Sequence, residues 1–317
     1  MGKKVHSQKK IYLSLNPTYL CNFRCEFCYL SQQQLADSRR ISIQTLKNKL
    51  REISLAGYSL EHVDIYGGEI ALLDESYVES LDEALLQHGD PTINVVTNLS
   101  KLHPFFLKDH VTLSSSYDFE AREKHEIVFQ NMMKLNKRFS ILMLASAKLL
   151  AKDVDEMISC FNIISNLECV EVKPYSENQA NQLDVNFDDF EEFIKRWIKS
   201  PIKKRFSFIN EKKIINSLKK KTNAYSDDHI YLTPSGSFAV LEFDKNDKEF
   251  FLNLNSMSEY EAWSTKEKKR VQENLFCQDC QFLGHCLTEH YREVKSLDNS
   301  CNGFKNLLTW YEDEILV

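Results

Sequence analysis

The stretch IYLSLNPTYLCNFRCEFC, Ile11–Cys28, decides how the rest of this 317-residue chain is read. IYLSLNP (11–17) has the look of a strand. Straight after it come three cysteines in eight residues, Cys21, Cys25 and Cys28, spaced C-x3-C-x2-C. A closed structural zinc site takes four ligands, and disulfides consume cysteines in pairs. Three thiolates on a cubic iron–sulfur cluster would leave one iron open to something other than protein.

The remaining composition narrows the field. Net charge is −6 and 43% of residues are apolar, enough for a core and without a global pull toward nucleic acid or membrane. No apolar run reaches the ~18–20 residues of a membrane span. The first residues, MGKKVHSQKK, are basic but lack an apolar signal core or a myristoylation pattern, so a cytoplasmic location is expected. Nine cysteines in such a chain point to metal or redox chemistry rather than disulfides. They are grouped: three at 21–28, four at 277, 280, 286 and 301, and only Cys160 and Cys169 apart.

Outward from the loop, short apolar runs alternate with helical periodicity. Strands are expected at 11–17, 62–69, 93–99, 111–116, 140–146 and 169–176, and helices at 41–57, 74–89, 118–136, 152–165 and 187–199. β then α, repeated about six times, implies a parallel sheet coated by helices, as an open or closed barrel with its site at the strands' C-terminal ends. Cys21–Cys28, Gly67–Glu69 and Thr97–Asn98 all fall at or just past such an end. After residue 200 the pattern changes. Eight Lys or Arg lie between 203 and 221, and HIYLTPSGSFAVLEF (229–243) reads as a hairpin turning at Pro234-Ser235-Gly236. Two domains are expected, 1–200 and 201–317.

With Phe27 just ahead of its third cysteine, the loop resembles that of the radical S-adenosylmethionine (SAM) superfamily. The resemblance covers roughly residues 11–176 and extends to the C-terminal cysteines. It implies a partial (β/α)6 TIM-like barrel. It also implies a [4Fe–4S] cluster on Cys21, Cys25 and Cys28 whose open iron chelates SAM. In the family, one electron from that cluster splits the sulfonium, and the 5′-deoxyadenosyl radical takes a hydrogen atom from substrate. Gly67-Gly68-Glu69 resembles the family's GGE turn, with Glu69 expected to accept from the methionine ammonium. Thr97, Asn98, Ser114 or Ser115, and Arg122 match further cofactor positions around strands three and four. The bland readings are a zinc loop, a plain turn at 67–69, serines that only end a strand, and an Arg122 that pairs with Asp118 or Glu126 on one helix face.

Cys277-x2-Cys280-x5-Cys286, then Cys301, resembles the tail of SPASM-type radical SAM enzymes, whose full pattern of seven cysteines holds two auxiliary clusters. Here Leu241 and His290 stand where two of those cysteines would be, and none precedes Gly236 in 210–235. The four retained match the outer cluster alone. The resemblance therefore implies a small C-terminal cysteine-rich SPASM/twitch-like domain with one auxiliary [4Fe–4S] cluster on Cys277, Cys280, Cys286 and Cys301. The alternative is tetrahedral zinc. Cys160 and Cys169 read as structural. Lys173, Tyr175 and Ser176, near the active end of strand six, are candidate substrate contacts.

The resemblance further implies an enzyme that modifies a ribosomally made peptide (RiPP maturation), by epimerisation or by a thioether or carbon cross-link. An external electron donor such as flavodoxin or ferredoxin is expected. So is direct peptide binding in the barrel, since only about ten residues precede the first strand. Runner-up readings are a radical SAM dehydrogenase of a small molecule such as an amino sugar, a nucleic-acid modification suggested by the basic stretch 203–221, and a non-enzymatic zinc scaffold.

Overall fold

The computed structural model describes residues 8–175, 178–181, 183, 185–225, 227–241, 250–287 and 304–316. Seven strands run in parallel and in sequence order: β1 Lys9–Leu15, β2 Tyr58–Ile65, β3 Thr92–Thr97, β4 Val111–Ser116, β5 Phe139–Ala145, β6 Leu167–Pro174 and the two-residue β7 Ser207–Phe208. β8 His229–Leu232 joins parallel to the free edge of β1. β9 Phe238–Leu241 then pairs antiparallel to β8, and β10 Phe251–Leu254 antiparallel to β9. The described residues thus form one sheet in the order β10-β9-β8-β1-β2-β3-β4-β5-β6-β7, an open partial barrel. The chain beyond residue 200 extends that sheet at both edges rather than starting a new one.

The connecting helices are α1 Gln32–Leu35, α2 Ile43–Leu55, α3 Glu75–Leu86, α4 His125–Lys134, α5 Ala147–Leu150, α6 Val154–Asn162, α7 Phe187–Lys199, α8 Ile209–Leu218, α9 Met257–Gln272 and α10 Lys305–Glu314. Their starts follow local chemistry. Ser42, Asp153, Asn186 and Ser256 each accept a first-turn backbone N–H, satisfying donors a helix leaves open.

The pleat sorts the strands into two faces. Ile11, Leu13, Val63, Ile65, Ile93, Val95, Leu113, Ile141, Met143, Val170 and Val172 point outward and are all buried. They pack in one core with Leu46, Leu50, Val78, Leu81, Val128, Phe161, Phe190 and Trp197 of the helices. The inner positions are different: Ser14 is in register with Asp64, Asp64 with Asn94, and Leu142 with Glu171. A parallel sheet covered on both faces reads as nearly continuous apolar runs. Polar residues on its inner pleat mark a cavity.

The expected strands and most helices hold to within a few residues. The helix expected over 118–136 does not. A 3-10 turn, Phe119–Ala121, precedes α4, and Phe119 and Lys124 adopt left-handed backbone at φ 51° and 54°. Asp118 turns its carboxylate into the barrel, accepting from the Leu144 N–H and from Arg122, so the chain cannot coil there. Arg122 does pair with Asp118 as the sequence suggested, but from extended backbone after the turn, not from a helix face.

Candidate active site and cluster loop

All parallel strands end on the same rim, and the loop after β1 lies across it. Cys21 N–H donates to Leu35 O at 3.1 Å and Cys28 N–H to Cys25 O at 3.1 Å, which tightens the loop. The loop is seated on the Gly67-Gly68-Glu69 turn: Gly68 N–H donates to Thr18 O at 2.9 Å and Glu69 N–H to Leu20 O at 2.7 Å. Only glycine allows this approach. Gly67 has φ +138°, and a Cβ on Gly68 would lie 2.0 Å from Leu20 O.

Glu69 is fully buried, and its carboxylate faces into the chain. It accepts from Thr97 Oγ1 at 2.6 Å, Asn98 N at 2.7 Å and Ala71 N at 2.9 Å. Burial pushes its carboxyl above the usual range, against those three donors, which favour the ionised form. Glu69 therefore locks the end of β2 to the end of β3. Three of the carboxylate's roughly four acceptor positions are used in this lock.

Thr97 serves the same lock. Asn98 does more: its Nδ2 donates to Asn22 Oδ1 at 2.9 Å and points at Cys21 Sγ at 3.7 Å. Arg122 reaches the loop from the other side, with one guanidinium nitrogen 3.7 Å from Cys25 Sγ. The guanidinium lies over the Phe27 ring, 5.3 Å from its centre. Of the two serines, Ser114 lines the cavity and Ser115 does not. Ser115 is on the outer pleat with Leu113, and its hydroxyl is buried with no hydrogen-bond partner among the described residues.

The three thiols are half-buried, and burial pushes Cys21 and Cys25 up and Cys28 to about 11. Such thiols need a strong positive charge to ionise. Among the described residues no group of three or more His, Cys, Asp or Glu is arranged to hold one metal ion. A soft all-thiolate set with N–H donors aimed at its sulfurs fits an iron–sulfur cluster, in which each cysteine takes its own iron.

The cavity inside the sheet measures about 550 Å³. Phe27 and Ser114 border it, as do Lys173 and Tyr175 at the end of β6. Glu171 accepts from Lys213 and has Lys173 at 3.7 Å. Tyr175 Oη donates to Asn181, whose Nδ2 donates to Cys28 O at 2.6 Å, tying the β6 end to the cluster loop. Ser176 lies outside the described residues.

The opposite wall was missed from the sequence. It comprises Tyr29, Tyr66, Asp64, Ser14, His229 and Tyr231. His229 Nε2 and Ser14 Oγ are 2.8 Å apart across β8 and β1. Tyr29 Oη is buried with no partner among the described residues. The available signal was the polar residue in the middle of each apolar strand: Ser14, Asp64, Asn94.

In the tail, Cys277, Cys280 and Cys286 follow one another along tight turns, with Cys280 N–H donating to Cys277 O at 3.0 Å. Cys301 and His290 lie outside the described residues. The turns are stitched to the segment after α8: Ala224 N–H donates to Gly284 O at 3.1 Å, and His285 Nδ1 is 3.0 Å from Thr222 O. Thr222, Asn223 and Leu287 border the cavity, so the tail adjoins it. Cys160 packs against the main core from α6. Cys169 Sγ is 2.9 Å from Ser140 Oγ at the far end of the sheet. Neither borders the cavity.

Comparison with known proteins agrees with this geometry. The Radical SAM superfamily profile matches residues 15–158. No curated protein matches the sequence. Among solved structures the chain is similar to anSMEcpe with bound AdoMet, at TM-score 0.72 and 14% identity over 96% of this chain and 98% of that one. It is similar to Streptococcus suis SuiB bound to S-adenosylmethionine, at TM-score 0.65 and 13% identity over 93% and 76%. SuiB was also solved with its precursor peptide SuiA, where the match has TM-score 0.66 and 13% identity over 95% and 76%. At these identities the likeness is one of fold. The residues that the Radical SAM superfamily profile matches, 15–158, include the three-cysteine loop and the Gly-Gly-Glu turn.

Proposed function

We propose that this protein is a radical SAM enzyme that abstracts a hydrogen atom from a ribosomally made peptide and carries it to an epimer or a cross-linked product. The observation that carries the reading is the cluster loop bordering, through Phe27 and the adjoining Tyr29, a cavity of about 550 Å³. The likeness of fold to SuiB and anSMEcpe, both solved with peptides bound, supports a peptide as substrate.

Cys21, Cys25 and Cys28 would hold the SAM-binding [4Fe–4S] cluster. Cys277, Cys280, Cys286 and Cys301 would hold a second, auxiliary one, dividing the chain's roles near residue 200. Together the first cluster and SAM would supply one-electron radical chemistry. The chain's own residues do the rest. Gly67 and Gly68 let the turn close on the loop, Glu69 and Thr97 fix it, and Phe27 and Ser114 border the cofactor's side of the cavity. Lys173 and Tyr175 lie where substrate would enter. No cysteine is among the described residues that line the cavity, which favours an oxidative cross-link over an epimerisation that returns hydrogen from a thiol.

Iron and sulfide per chain after anaerobic reconstitution, with deoxyadenosine assayed alongside, test the reading. About eight irons are expected, falling to about four in Cys277→Ala/Cys280→Ala. A colourless protein with zinc and no deoxyadenosine would refute it. With a peptide substrate in D2O, a product two mass units lighter marks a cross-link, whereas one deuterium at an α-carbon marks epimerisation.

A further inference from the structure

Asn98 and Arg122 approach the cluster loop in a way that holding SAM does not explain. Asn98 Nδ2 is 3.7 Å from Cys21 Sγ, and an Arg122 guanidinium nitrogen is 3.7 Å from Cys25 Sγ. Both are normal N–H···S separations. The guanidinium is nearly buried, 10% exposed, and Asp118 beneath it is fully buried. Two guanidinium nitrogens lie 2.6 and 2.8 Å from Asp118 Oδ2. The other carboxylate oxygen accepts the Leu144 N–H of β5. Phe27 is packed below the guanidinium. A group held on three sides is not free to swing between partners, so its remaining N–H is fixed on the Cys25 sulfur.

We propose that Arg122 and Asn98 are positioning residues that set the reduction potential of the cluster on Cys21, Cys25 and Cys28, with Asp118 as counterweight. The inference rests on the reading of those cysteines as cluster ligands. Reduction adds one negative charge, shared by the thiolate sulfurs. Hydrogen bonds to cluster sulfurs and nearby positive charge favour the more negative form and raise the potential. Asp118 opposes this with its charge while aiming the donor. The pair thus delivers a directed N–H with little net charge, and Asn98 supplies a neutral donor to a second sulfur.

The test is a redox titration of the reconstituted full chain without SAM, followed by electron paramagnetic resonance of the reduced cluster. In Arg122→Met the reduced-to-oxidised ratio at a fixed potential is expected to fall about tenfold, a shift of about 59 mV to more negative potential for one electron. Asp118→Asn should shift the midpoint the opposite way. If Arg122→Met fails to fold around an unpaired Asp118, Arg122→Met/Asp118→Asn removes both charges and isolates the N–H···S bond; its shift is again negative. Asn98→Ala leaves the ion pair intact and should shift the midpoint negatively by less. Unchanged midpoints together with weakened SAM binding would overturn the proposal and put the guanidinium on the cofactor. If the wild-type chain loads no iron on the three-cysteine loop, the underlying reading fails, and this inference with it.

Discussion

Gly68→Ala is the sharpest test of how the cluster loop is held. The added Cβ would lie 2.0 Å from Leu20 O and 2.5 Å from the carbonyl carbons of Leu20 and Tyr19. All three are backbone, so no side chain can rotate away. Restoring ordinary contact requires the Thr18–Leu20 segment and the turn to part by about 1.4 Å. That stretches the Gly68–Thr18 and Glu69–Leu20 hydrogen bonds, now 2.9 and 2.7 Å. Two lost bonds cost about 1 kcal/mol each and the overpacking about 1–3 kcal/mol, together roughly 3–5 kcal/mol. For a chain of this size the melting temperature should drop by roughly 6–10 °C. Cys21 is the next residue after the displaced segment, and metal–ligand distances tolerate only about 0.2 Å. Iron on the three-cysteine loop should therefore fall below half of wild type, and deoxyadenosine formation by about a hundredfold or more. Calorimetry, iron analysis and a single-turnover deoxyadenosine assay read the three effects. A variant that melts like wild type and keeps its iron would refute the argument that backbone contact at Gly68 seats the loop.

Three further outcomes are expected. Glu69→Gln replaces a carboxylate that accepts three hydrogen bonds with an amide whose NH2 must face either Asn98 N–H or the Ala71 and Thr97 donors; a loss of about 2–4 kcal/mol in urea unfolding should follow, and a loss under 0.5 kcal/mol would refute the lock. Tyr29→Phe removes a buried hydroxyl with no partner among the described residues, so stability should hold or rise by up to about 1 kcal/mol, while any rise in KM for a peptide would assign the hydroxyl to substrate. His103 is nearly buried, its Nδ1 accepts the Phe105 N–H, and burial holds its pKa below 6.5. The unfolded chain then binds the proton more readily, so His103's contribution is present above pH 6.5 and is lost as pH falls from there through its lowered folded-state pKa. His103→Asn, which can keep the cap, should flatten the stability profile below about pH 6.5, and an unchanged slope would count against it.

What the sequence carried was periodic or tightly spaced. Strand positions were legible because the outer pleat alternates without interruption, as in VTLSSS (111–116), which matches β4 to the residue. The cluster loop and the Gly-Gly-Glu turn were legible because their spacing is itself the chemistry. The break at Phe119–Lys124 was not. It depends on Asp118 reaching Leu144, 26 residues away, and no local pattern announces such a bond.

The site divides the same way. The sequence by itself determined that three thiols follow the first strand, that a glycine turn follows the second, and that four more cysteines lie near the end of the chain. Only the tertiary structure decided that Glu69 faces inward to brace two strand ends, and that Ser114 rather than Ser115 meets the cavity. It also decided that Tyr29, Tyr66, Asp64, His229 and Tyr231 form the cavity's second wall. Strand β8 explains that wall. Its residues reach the site only because it pairs with β1, more than 200 residues earlier, at register His229↔Tyr12. Such a pairing follows from burying a sheet edge, which a sum over the whole fold decides and no window of sequence contains.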